Sequence, residues 1–132
     1  MSGFEGAWRA ALLAALAEDA VLGPGLNRLS DGPGERAPTP LARLGEIIAG
    51  DWGAKDRPGR DLRAELMIEA RGDADAATAL GDRAETVIAG LSRTIDDWEC
   101  GATRIDQRRR LRRRDGTIIE TLGLHVRGWR AV

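Results

Sequence analysis

The chain predicts an α+β fold: an antiparallel or mixed sheet of four to five strands, two main helices packed on one face, and a C-terminal β-hairpin. Three observations carry this. Apolar residues recur at helical spacing near the start and again in the middle, residues 62–70 alternate between apolar and charged, and Asp115-Gly116 separates two extended segments. The order is helix, strands, helix, hairpin, which packs as two layers around one core. At 132 residues the chain is expected to form a single domain, 1–132, large enough to fold without staples.

A first helix is expected over residues 5–21, because Phe4 just before it and Trp8, Leu12, Leu13, Ala15 and Leu16 within it fall mainly on one face, with Arg9, Glu18 and Asp19 outside it. Gly23-Pro24-Gly25 ends it, because proline cannot continue the hydrogen-bond ladder. A short strand is expected at 26–29. Two glycines and three prolines make 30–40 a surface loop. A second strand is predicted over 41–48, continuing to Trp52 and leaving the sheet at Gly50, and 53–59 reads as a turn. In 62–70 the apolar set Leu62, Ala64, Leu66, Ile68 and Ala70 alternates with Arg63, Glu65 and Glu69. The apolar side needs a helix as cover, and the charged side faces solvent or a partner. The cover follows: Asp73 suits an N-cap, and Ala76, Ala77, Leu80, Ala84, Val87, Ile88 and Leu91 make an apolar stripe. Extended segments at 101–111 and 117–129 flank Asp115-Gly116, a dipeptide suited to a tight hairpin turn.

Composition excludes several classes. One cysteine, Cys100, and one histidine, His125, rule out disulfide-stapled domains and Cys/His zinc modules. The longest apolar run, residues 10–17, is far short of the ~20 residues of a membrane span, and without a basic leader it reads as helix rather than signal peptide. A cytoplasmic protein without membrane contact is expected. The formal net charge of −1 hides an asymmetry: residues 1–100 carry 11 basic and 18 acidic side chains, net −7, and residues 101–132 carry 9 and 3, net +6. Only Lys55 among the 20 basic residues is lysine, a bias that GC-rich coding produces.

The densest chemical signal is the run Arg108, Arg109, Arg110, Leu111, Arg112, Arg113 and Arg114. Neighbouring strand residues face opposite sides, so both sides are charged and the hairpin end is expected to project beyond the packed layers. Such a cluster suits phosphate contact or an acidic protein surface. No base-stacking aromatics are interleaved, which favours the protein surface. Asp96, Asp97 and Glu99 are adjacent acids, not the opposed pair that acid-base catalysis needs, and Trp98 is expected to point inward. Cys100 and His125 sit in no recognisable nucleophile context, and His125 is expected on the surface beside Arg127. The glycine-proline loops lack phosphate-loop spacing. No catalytic, cofactor or metal site is expected.

The segment Asp51-Trp52-Gly53-Ala54-Lys55-Asp56-Arg57-Pro58-Gly59-Arg60, followed by the alternating strand and the second helix, resembles the tail-completion, or tail terminator, family of long-tailed phages and gene transfer agents. Similar members open with an Ala/Leu-rich helix and a Pro-rich loop, and enter a strand ending in an Asp-Trp-Ser/Gly-x-Lys turn. They close with a hairpin whose last strand ends in a stretch like Arg127-Gly128-Trp129-Arg130. The resemblance implies a structural protein without catalytic residues. Six copies would form a ring on the last ring of tail-tube protein, halt tube growth and present a surface to the head's stopper protein, while DNA passes through the hole without sequence-specific binding. Assembly would take place in the bacterial cytoplasm, and the protein would end in the particle's tail. By the same resemblance, Trp52, Lys55, Asp56 and Arg57 form one contact loop, and Arg108, Arg109, Arg110, Arg112, Arg113 and Arg114 another. The bland readings are that Trp52 closes the core and that the charged turn is merely solvated. Two other functions stay open: another tail or connector component such as a tube or stopper subunit, and an arginine-hairpin nucleic-acid binder.

Overall fold

The computed structural model describes residues 3–32, 37–53 and 56–130. Two long strands are its spine: β4 (Gly59–Arg71) and β8 (Thr117–Arg130) run antiparallel through thirteen successive pairs, from Gly59 opposite Trp129 to Arg71 opposite Thr117. Even-numbered residues of both strands turn to one face, where Leu62, Leu66, Ile68, Ile118, Leu122, Leu124 and Val126 are buried. The alternation in the sequence therefore marks the face that the helices cover.

The cover is α1 (Phe4–Glu18) and α3 (Ala74–Ala89), joined to the single turn α2 (Leu22–Gly25). Phe4, Trp8, Leu12 and Leu16, four apart, bury one stripe of α1, and Ala77, Gly81, Ala84 and Ile88 bury one stripe of α3. Asp73 caps α3 by accepting from the backbone N–H groups of Asp75 and Ala76, which places its carboxylate at the positive helix end. Asp19 accepts from the N–H groups of Val21 and Leu22 at the start of α2, and Arg83 of α3 grips the same carboxylate at 2.6 and 3.0 Å. One side chain thus terminates α1, starts α2 and ties both to α3. At the other end the Phe4 ring lies over Gly128: a Cβ there would sit 2.5 Å from the ring, so only glycine admits it. Trp98 packs inward against Phe4 with centroids 5.4 Å apart, as expected from sequence.

The sheet is larger than the four to five strands predicted. Among the described residues it has eight, in the order β1-β2-β4-β8-β6-β5, with β3 also on β4 and β7 also on β8. The predicted strand 41–52 is two strands, β2 (Leu41–Leu44) and β3 (Ile48–Asp51), which flank the two halves of β4 in turn. β1 (Arg28–Asp31) pairs parallel to β2, so the sheet is mixed. β5 (Thr94–Ile95) and β6 (Trp98–Cys100) form a small hairpin, and β6 continues beside the end of β8. Strands of two to four residues are too short to show a period, which is why sequence reading missed or merged them. β7 (Arg104–Arg112) and β8 form the predicted C-terminal hairpin through Asp115 and Gly116, with Gly116 at φ +87°. The Pro33 and Gly34 portion of the predicted loop lies outside the described residues.

Candidate assembly surface

The face of the sheet away from the helices carries the odd-numbered charges of β4, and most of them are tied into ion pairs. Arg63 reaches Asp106 at 3.0 Å, Glu65 accepts from Arg109 at 3.0 Å, and Glu69 is met by Arg43 at 2.8 Å and Arg113 at 3.6 Å. β4 and β7 are not neighbours, because β8 lies between them. Long side chains from both arch over β8 where it offers only Gly123 and Thr121, the residues paired with Glu65 and Arg109 respectively. This ladder explains why β8 is buried on both faces.

His125 belongs to it. The expectation of a surface histidine is overturned: the residue is 4% exposed, with Nε2 2.8 Å from Asp61 and Nδ1 3.3 Å from the Arg104 guanidinium. Burial pushes the Asp61 carboxyl up, but hydrogen bonds from Arg127 and His125 outweigh it and hold it below the ordinary carboxylate range. Cys100 is buried with the core on the helix side, its thiol pushed up by that burial. Cysteine and histidine therefore lie on opposite faces of the sheet, and no Cys/His pair is assembled.

Above the ladder is an aromatic patch. Trp52 is 44% exposed and does not close the core; its ring stands 5.8 Å from Trp129. Arg127 lies over Trp52 at 5.3 Å from the ring centroid, held there by Asp61 at 2.9 Å. The Trp129 indole N–H donates to Glu99 at 2.8 Å, fixing the second ring. A shallow cleft of about 270 Å³ opens beside them toward Arg104 and His125. Tryptophan and arginine held in fixed positions at the surface are the residue types that anchor protein interfaces. Asp56 and Arg57, on the turn after Trp52, are exposed. Lys55 lies outside the described residues. Trp129 and Arg127 were not singled out as contact residues by sequence reading; only the pairing of β8 with β4 brings them to Trp52.

The arginine run divides in two. A bulge at Asp106 inserts one residue between Ile105 and Gln107, which turns Arg108, Arg110 and Arg112 to the helix side and Arg109 to the ladder. Arg108 does not project: its guanidinium bonds Asp82 at 2.6 Å, Glu85 at 2.5 Å, the Thr78 carbonyl at 3.0 Å and Glu120 at 3.4 Å. It lies against Gly81, where a Cβ would come within 2.4 Å of it. Burial disfavours its charge, yet the three carboxylates outweigh burial and raise its pKa. Arg110 bonds Glu120 at 2.7 Å and also the Thr78 hydroxyl. Glu120 is 3% exposed; its burial raises the carboxyl pKa, and the two arginines outweigh that and lower it. The expectation that the whole run projects is corrected accordingly: Arg108 and Arg110 clamp the hairpin to α3. Arg112 and Arg114 are exposed and make no ion pair among the described residues. The −7 and +6 parts of the sequence thus neutralise each other largely within one molecule, through Arg108, Arg109, Arg113, Arg127 and the Arg130–Asp97 pair.

A family model described as "Tail completion protein gp17" matches residues 10–125. No curated protein matches the chain. Among solved structures, a chain in the "Virion of native gene transfer agent (GTA) particle" is similar, with a TM-score of 0.82 and 17% identity, covering 98% of this chain and 99% of that one.

Proposed function

This chain belongs to the tail completion protein gp17 family, and from that premise we propose that it is the tail terminator of a phage or gene transfer agent particle. Six copies form a ring on the end of the tail tube, stop its growth and receive the head's stopper protein. DNA passes through the hole without sequence readout. The observation that carries this reading is the family match over nearly the whole chain, supported by a fold shared end to end with a component of a gene transfer agent virion. The protein assembles in the bacterial cytoplasm and ends in the tail of the particle.

Within this reading Trp52, with Lys55, Asp56 and Arg57 after it, forms one contact surface, backed by Trp129 and Arg127. Arg112 and Arg114 lead the second, with Arg109 and Arg113 behind them, while Arg108 and Arg110 hold the hairpin that presents them. A head-to-tail ring needs two different complementary patches and a rotation that closes.

The test is the mass of the purified protein by light scattering, with negative-stain imaging, with and without preassembled tail tubes. Six-membered rings, free or only on tube ends, are expected. Long tubes of this protein alone would replace the reading with that of a tube subunit. A monomer indifferent to tubes but retained on DNA, with affinity falling steeply as salt rises, would replace it with nucleic-acid binding.

A further inference from the structure

We propose that neighbouring copies in this ring join their sheets, β3 of one copy pairing antiparallel with β7 of the next; the inference rests on the ring reading above. The two strands are opposite margins of the sheet. Across the row at Arg63 the order is Ile48 of β3, Arg63 of β4, His125 of β8 and Arg104 of β7, and among the described residues β3 pairs only with β4 as β7 pairs only with β8. Each margin therefore presents a line of backbone N–H and C=O groups that pair with no other strand among the described residues.

Strand directions fit. β3 and β8 both run against β4, and β7 runs against β8, so β7 and β3 are antiparallel to each other within one copy. Rotation about the ring axis preserves the sense in which each strand runs along that axis and sets β7 of one copy antiparallel to β3 of the next.

Side chains fit as well. Charged side chains usually protect a free edge, but here Arg108 and Arg110 are drawn over α3 and Glu120, and Arg109 over Glu65, which leaves the β7 backbone bare. Each margin carries one large exposed apolar residue, Ile48 at 72% and Leu111 at 59%. Their pairing partners, Arg63 and Ile119, lie on the ladder face, so both residues point that way. Near Ile48, Glu46 has no ion pair among the described residues, and the same holds near Leu111 for Arg112 and Arg114; with Ile48 opposite Leu111, Glu46 comes between these two arginines. The second copy thus brings apolar surface to apolar surface and carboxylate to guanidinium.

Seating Ile48 against Leu111 matches the row of Arg63 in one copy to that of Glu69 in the other. Six residues is a shift of about 20 Å across four strands spanning about 19 Å, a tilt of about 45°. Strands close into barrels at about this tilt.

The experiment combines a double variant, Ile48→Cys with Leu111→Cys, and hydrogen exchange on the unmodified protein, both with tail tubes present. Buried Cys100 stays out of the cross-linking. Oxidised rings should give a covalent ladder on a non-reducing gel, absent from either single variant. Amides of β3 and the outer edge of β7 should exchange at least tenfold more slowly in rings than in monomers. Rings whose β3 and β7 amides stay unprotected would overturn the interface and leave the ring reading standing. Absence of rings from the unmodified protein would overturn the ring reading itself, and the interface with it.

Discussion

Replacing Arg108 by methionine tests whether the run is a surface patch or a structural clamp. The change keeps much of the aliphatic stem and removes the guanidinium that bonds Asp82, Glu85, Glu120 and the Thr78 carbonyl. Asp82 and Glu85 are open enough to rehydrate, so their loss costs little. Glu120, 3% exposed, cannot, and it keeps only Arg110 and Thr78. Losing one hydrogen-bonded charge partner of a group still held by another costs about 1.5–3 kcal/mol, below the 3–5 of a buried pair broken outright. Arg112→Met, four residues along β7 on the same face and without an ion pair among the described residues, should cost at most about 0.5 kcal/mol. Urea unfolding of both variants measures the difference, and Arg108→Met combined with Glu120→Gln should recover about 1 kcal/mol or more of coupling. Equal midpoints for the two arginine variants would refute the clamp, as would strict additivity in the cycle.

Gly128→Ala should destabilise by about 1–3 kcal/mol, because the fully buried Phe4 ring has no space into which to retreat; an unchanged urea midpoint would sink that account. Asp19, Asp61 and Glu120 all have folded pKa values held below the ordinary carboxylate range, so their stabilisation is present above about pH 4 and is lost as the pH falls through the folded values. The urea midpoint should therefore drop steadily below pH 4, and a midpoint that holds or rises down to about pH 2.5 would contradict these pairs. Trp52→Ala removes an exposed ring whose contacts are Trp129 and Arg127, so the melting temperature should hardly move while attachment to tube or stopper is lost; full tail joining by the variant would remove Trp52 from the contact surface.

Local pattern determined a good part of this protein. The alternation in β4, the stripe and Asp73 cap of α3, the inward Trp98 and the Asp115-Gly116 turn were legible because each is set by spacing within a dozen residues. The segment at Asp51 to Arg60 and the end of β8 also carried the family resemblance, which the match over 10–125 bears out. Tertiary structure decided the rest. Five of the strands are too short to have a period of their own and exist because neighbouring strands offer edges to pair with. The position of one bulge, at Asp106, decides which arginines turn inward, since a single extra residue reverses every side chain that follows it. The placement of β8 between β4 and β7 buries His125 and turns a run of exposed-looking charges into a ladder of ion pairs. Such pairings join residues 21 to 64 positions apart, and no local spacing encodes them: only the register of folded strands brings the charges together.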